Sequence, residues 1–233
     1  MKLSRILSNQ NGVSRKQANA LIAAGRAMVN GKVCTNASLD VDRFTTVAVD
    51  DKVIQPGSQA HYLMLNKPAG YLSATVDAVH PTVLDLIAPD LRTDLHIAGR
   101  LDRATTGLLI LTNDGIWSRG LTEPRVRIPK VYRVTTAYPL SPDTKARFAE
   151  GIWFEYEQLT TSPAHLEQMD ATNVRLTIYE GRYHQVKRMF HAVGNRVVSL
   201  HREQMGDIAL DGKLQPGEYR PLSHTETQSI PRR

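Results

Sequence analysis

One cysteine, no long apolar run and no acidic side chain among the first 39 residues: each scarcity narrows what this 233-residue chain can be. Cys34 alone excludes an internal disulfide and a cysteine-rich zinc site, and a reducing cytoplasm is the expected location. The eight histidines form no HxxxH or HExxH pattern, so the sequence offers no ligand set for a metal. No P-loop or GxGxxG word is present, which leaves a nucleotide cofactor unsupported. Met1-Lys-Leu-Ser-Arg5 is not followed by an apolar core, and no apolar stretch reaches membrane-spanning length, which argues against secretion and membrane insertion.

The missing acids say the most. Residues 1–39 carry six basic side chains (Lys2, Arg5, Arg15, Lys16, Arg26 and Lys32). The remaining 23 basic residues match the 23 acidic ones, so the formal charge of +6 equals the excess at the start of the chain. A small module with a field of one sign suits a polyanion, because phosphates release counterions when it binds.

Leu3, Ile6 and Leu7 recur at helical spacing, and Ser14-Arg-Lys-Gln17 matches a capping box ahead of an apolar stripe of Ala18, Leu21 and Ile22 that stops at Gly25. Val29-Asn-Gly-Lys-Val33 predicts a hairpin through an Asn-Gly turn, and Thr46–Val49 another strand. Gln55-Pro-Gly-Ser-Gln59 reads as a linker. Beyond it, strands are expected at Tyr62–Leu65, Gly107–Leu111, Val131–Val134 and Val174–Ile178. Helices are expected near 114–121, 142–150 and 184–193. Strands that do not alternate regularly with helices predict an α+β domain around a mainly antiparallel sheet.

Three segments are candidates for carrying chemistry. Gly99-Arg-Leu-Asp-Arg-Ala-Thr-Thr-Gly-Leu-Leu-Ile-Leu-Thr-Asn-Asp114 sets Asp102 between two arginines, just before a buried strand. On geometry alone such an Asp equally well caps a turn. Lys130-Val-Tyr132 offers a ring that can stack on a base. In Glu180-Gly-Arg-Tyr-His-Gln-Val-Lys-Arg-Met-Phe190, Val186, Met189, Phe190 and Val193 form a core stripe, which leaves Lys187 and Arg188 free to face a cleft. His184 and His201 read as structural or RNA-facing.

Together these words resemble the ribosomal small-subunit and large-subunit pseudouridine synthases, and residues 1–50 resemble the S4 RNA-binding domain. The resemblance implies an α+β chain with a small N-terminal S4-like ααβ domain over 1–58 and a pseudouridine-synthase catalytic domain over 59–233, built on a mainly antiparallel mixed sheet. It implies that Asp102 is the catalytic carboxylate, that Tyr132 lies against the target base, and that Lys187 pairs with Asp102 and keeps it ionised. RNA contacts are expected from Arg15, Lys16, Arg26, Lys32, Arg100, Arg182 and Arg188. His184-Gln-Val-Lys187 and Leu200-His-Arg-Glu203 follow the small-subunit form of the family, as does the absence of a long basic tail after Leu222. Arg103-Ala104 departs from the family, where an acidic residue is frequent. The expected substrate is then a uridine of small-subunit (16S) ribosomal RNA, position 516, free or in a partly assembled subunit. The alternatives are large-subunit (23S) RNA and a silent assembly factor. An isomerisation needs no cofactor and no metal, and nothing in the chain demands more than a monomer.

Overall fold

The computed structural model describes residues 1–231 and resolves into two units, Met1–Ala60 and His61–Arg233. In the first unit, α1 (Leu3–Ser8) and α2 (Arg15–Ala23) precede β1 (Ala27–Val29), β2 (Lys32–Val33), β3 (Thr46–Val49) and β4 (Lys52–Pro56). The Ser14 hydroxyl accepts from the Gln17 amide at 3.2 Å and the Gln17 side chain accepts from the Ser14 amide at 2.8 Å, the expected reciprocal cap. Asn30 (φ 48°) and Gly31 (φ 75°) make the β1–β2 turn in the left-handed region that an Asn-Gly pair tolerates. Leu3, Ile6, Leu7, Ala18 and Ile22 form one core with Val41 and with Ala27 and Val47 of the sheet, whose order is β2-β1-β3-β4.

The expected linker is partly strand. Gln55 and Pro56 close β4, and the Gln55 side-chain amide donates to the Asp42 and Thr45 carbonyls at 2.8 and 2.7 Å. A proline is tolerated there because β4 is an edge strand and ends at that residue. The first compact unit runs to Ala60.

The second unit contains β5 (Tyr62–Lys67), α3 (Pro89–Arg92), β6 (His96–Ala98), β7 (Thr106–Thr112), α4 (Gly115–Thr122), β8 (Lys130–Thr136), α5 (Thr144–Glu150), β9 (Trp153–Phe154), β10 (Leu159–Thr160), β11 (His165–Gln168), β12 (Asn173–Ile178), α6 (Gln185–Ala192), β13 (Val197–Met205), β14 (Ile208–Ala209), β15 (Tyr219–Pro221) and α7 (His224–Gln228). Its nine-stranded sheet runs β11-β12-β8-β13-β7-β5-β15, with β6 on β7 and β14 on β13. The β13–β7 pair is parallel, and every other pairing in the sheet is antiparallel.

Both faces of the central strands are covered. Leu109 and Leu111 of β7 join Leu63, Leu65, Val134 and Leu176 on one face. Leu108 and Ile110 join Met64, Trp117, Leu121 and Met205 on the other. That is why β7 reads as an unbroken apolar run, while β12 alternates Val174, Leu176 and Ile178 with half-buried Asn173, Arg175 and Thr177. No helix among the described residues is long and apolar enough to cross a membrane.

Candidate active site

The loop 99–105 enters β7 and carries Asp102. Two glycines bracket it, Gly99 at φ 92° and Gly107 at φ 100°. A Cβ on Gly107 would stand 2.3 Å from the Arg202 carbonyl, so the close β7–β13 approach needs glycine there. Three side chains tether the loop from below. Ser73 Oγ accepts from the Leu101 amide at 3.1 Å and donates to its carbonyl at 2.7 Å. Lys67 Nζ donates to the carbonyls of Pro68, Arg103 and Thr105 at 3.0, 3.2 and 2.9 Å. The Arg202 guanidinium donates to the carbonyls of Leu108 and Gly99, both at 2.8 Å. Lys67 and Arg202 are both fully buried. Burial pushes the Lys67 amine down to about 8; the Asp102 charge opposes that shift and Arg202 adds to it.

The Asp102 carboxylate, 28% exposed, faces the first turn of α6. Lys187 Nζ lies 3.3 Å from Oδ2 and His184 Nε2 lies 3.4 Å from Oδ1. A helix N-terminus adds a partial positive charge on the same side. Tyr132, on β8 and almost fully buried, lines the same cleft with Arg100, Thr105, Ile178, Arg182 and Leu200. This inner cleft of about 70 Å³ shares Arg100, Asp102, Arg182 and His184 with a wider groove of about 610 Å³. Asp102, Tyr132 and Lys187, from three separate segments of sequence, thus meet in one opening.

Arg188 is not among the cleft's residues. One helical position is a turn of about 100°, so the residue after Lys187 points elsewhere. Arg188 makes a two-pronged pair with Glu157, Nη1 to Oε1 at 2.6 Å, and its guanidinium lies 3.7 Å from the Phe154 ring centre. That corrects the expectation that it faces the cleft. Arg182 is at the cleft but shares its Nε with Glu180 at 3.1 Å. Arg100 is exposed on the rim. His201 is half-buried against Thr106, its Nδ1 2.8 Å from the hydroxyl, and burial lowers its basicity.

Lys67, Lys130 and Arg202 escaped the sequence reading as buried cations. Strand parity was the available signal: Lys67 follows Leu63 and Leu65 at spacing two, Lys130 precedes Tyr132 and Val134, and Arg202 follows Leu200. Burial also pushes Lys130 down to about 8, and its amine donates to the Ile128 carbonyl at 3.0 Å.

In the first unit Arg15, Lys16, Arg26 and Lys32 are all exposed. Arg26 is engaged by Asp50 through two contacts, its Nε donating at 2.7 Å, so part of its charge is spoken for. Arg15 and Lys16 open α2, whose first turn holds no acid, although cations are locally unfavourable at a helix N-terminus.

Known proteins resemble this chain in sequence and in fold. The family model for RNA pseudouridylate synthases matches residues 61–192, and that for the S4 domain matches residues 1–47. Ribosomal small subunit pseudouridine synthase A of Pseudomonas aeruginosa is 51% identical over 230 residues, covering 99% of this chain and 100% of its own length. The proteins of that name from Escherichia coli K12 and Haemophilus influenzae are 47% and 41% identical, with 99% of this chain covered and 100% and 99% of theirs. A crystal structure of a pseudouridylate synthase, 41% identical, superimposes with a TM-score of 0.72 over 98% of this chain and 99% of its own. With a carboxylate, a lysine and a tyrosine gathered in one cleft, and with relatives matched along almost its entire length, the chain belongs to the RNA pseudouridylate synthase family, a family of isomerases.

Proposed function

We propose that this chain isomerises a uridine of small-subunit (16S) ribosomal RNA, position 516, to pseudouridine, with Asp102 as the nucleophile. The observation that carries the reading is the Asp102 carboxylate 3.3 Å from the Lys187 amine, in an open cleft that Tyr132 also lines. The reaction breaks the N1–C1′ bond, turns the uracil and joins C5 to C1′; N1 gains a proton and C5 loses one, so no redox partner is consumed. Attack of the carboxylate at C1′, attack at the base and assistance to a glycal all start from an anion close to the sugar, as in glycoside hydrolysis. Lys187 supplies opposing charge, the His184 imidazole lies 3.4 Å from the same carboxylate, and Tyr132 gives the everted base a surface to stack on. Leaving the RNA stack costs a few kcal/mol. Phosphate contacts from Arg15, Lys16 and Lys32 on the S4-like unit, and from Arg100 and Arg182 at the rim, offset that cost. The enzyme works as a monomer without cofactor or metal.

Incubating the protein with unmodified ribosomal RNAs, followed by chemical mapping, tests the substrate. One new pseudouridine is expected, at position 516 of the small-subunit RNA. Modification confined to the large-subunit RNA, or none in either, would overturn the assignment.

Removing residues 1–60 tests the S4-like unit. RNA affinity is expected to fall about tenfold or more, and the slope of log affinity against log salt to become shallower by about 2, for three lost phosphate contacts. Equal affinity with and without the unit would deprive it of a role in binding.

A further inference from the structure

Beside Asp102 stands an aromatic pair whose outer ring, Tyr183, the isomerisation itself does not use. Tyr183 and His184 stack face to face, with ring centres 3.9 Å apart and planes 19° apart. Successive side chains in a helix or strand diverge, so neighbours seldom stack. Here the backbone of His184 lies at φ 48°, in the left-handed region that non-glycine residues use sparingly, and brings the two rings together. Tyr183 is 76% exposed, so the face turned away from the imidazole is open to solvent. The imidazole in turn reaches Asp102, Nε2 to Oδ1 at 3.4 Å. An exposed aromatic surface is thereby held at a fixed register from the carboxylate, one ring layer beyond the imidazole that touches it. Both rings line the wider groove, together with Arg100, Arg103 and Arg182.

We propose that Tyr183, backed by His184, is the stacking platform for the unpaired base adjacent to the everted uridine. This rests on the reading of the chain as a uridine isomerase and adds the RNA contact next to its target. A nucleotide with its sugar at Asp102 has its neighbour one backbone step away, within reach of the Tyr183 ring. That neighbour has lost a stacking partner through the eversion, and an aromatic side chain replaces it. Every base presents a π-face, so the platform binds without reading sequence, while the arginines in the groove meet the flanking phosphates. The left-handed His184 is the means by which one residue serves both the carboxylate and the platform.

Tyr183→Ala is expected to weaken binding of an RNA fragment carrying the target uridine about tenfold, and Tyr183→Phe to bind as wild type does. Two further RNAs carry an abasic residue immediately 5′ or 3′ of the target. On one of them wild type and Tyr183→Ala should bind equally, because the stacking base is gone. Wild-type affinity of Tyr183→Ala for intact RNA, or a loss of the same size on all three RNAs, would overturn the platform. Conversion of the target by wild-type protein, measured in the same intact RNA, reports separately on the parent reading. No conversion sinks that reading and the platform with it, whereas conversion without an abasic-dependent loss sinks the platform alone.

Discussion

Asp102→Asn is expected to lose pseudouridine formation by on the order of 10⁴-fold or more, the scale seen when a reacting group is removed, while RNA affinity stays nearly unchanged. Asparagine keeps the size and the hydrogen-bonding oxygen of the side chain but not the anion, so every route that begins from a carboxylate is closed. Binding has no such dependence, because Asp102 adds negative charge in a groove lined by Arg100, Arg103 and Arg182, where phosphates would sit. Stability should change little as well. The Asp102, His184 and Lys187 side chains are 28, 37 and 34% exposed, and ion pairs so open to water contribute at most about 1 kcal/mol. For a chain of this size that is a melting shift of about 2–4 °C. Single-turnover mapping of pseudouridine, with dissociation constants and melting curves on the same preparation, checks all three. Turnover within tenfold of wild type would remove Asp102 from the chemistry; loss of RNA binding along with product would point to a damaged fold.

The elements legible in the sequence were those fixed by local rules. The capping box at Ser14, the Asn30-Gly31 turn, the alternation of β12 and the apolar stripe of α6 each appear where their residues dictate. The strand β13 was not legible, because its register shifts between Val197 and Ser199 and again between Arg202 and Gln204, which breaks the period of two. The meeting of Asp102 with Lys187 follows from family resemblance and not from spacing, since 85 positions separate them and only the sheet brings them together. Arg188 shows the limit of a helical stripe as evidence. The stripe identifies which residues are buried but not where the two off it point: resemblance pairs Lys187 with Asp102, while Arg188 is seen to meet Glu157 only in the fold. The tether beneath the loop was hidden for a further reason. Lysine and arginine are rarely buried without an anion, so Lys67 and Arg202 read as surface charges until their carbonyl partners are seen.

That tether yields the second large effect: Lys67→Met should cut turnover by about 10²-fold at pH 7 while leaving the protein folded. Methionine fills the aliphatic part of the side chain but releases the carbonyls of Pro68, Arg103 and Thr105, two of which belong to the segment that aims Asp102. Misplacing a reacting group by about 1 Å costs on that scale. The global cost is smaller because two terms oppose each other. The buried Thr105 carbonyl left without its donor destabilises by about 1–3 kcal/mol, the Arg103 carbonyl still accepts from the Gly70 amide at 2.9 Å, and removing a buried cation relieves its desolvation. The pH dependence separates them. The Lys67 amine is lowered from 10.5 to about 8 in the fold. Below about 8 it is charged in both states and the burial penalty is present in full. Between about 8 and about 10.5 the folded protein releases the proton while the unfolded chain keeps it, so wild-type stability gains from this residue as pH rises. The gain is on the order of 3 kcal/mol by pH 10.5, and Lys67→Met lacks it. Denaturant unfolding of both proteins at pH 7 and pH 10 should therefore show the stability difference widening in favour of wild type, since the other titrating groups are common to the two. A difference that stays constant with pH would mean that Lys67 is not strained by burial. Unimpaired turnover in Lys67→Met would mean that the loop holds Asp102 in place without this tether.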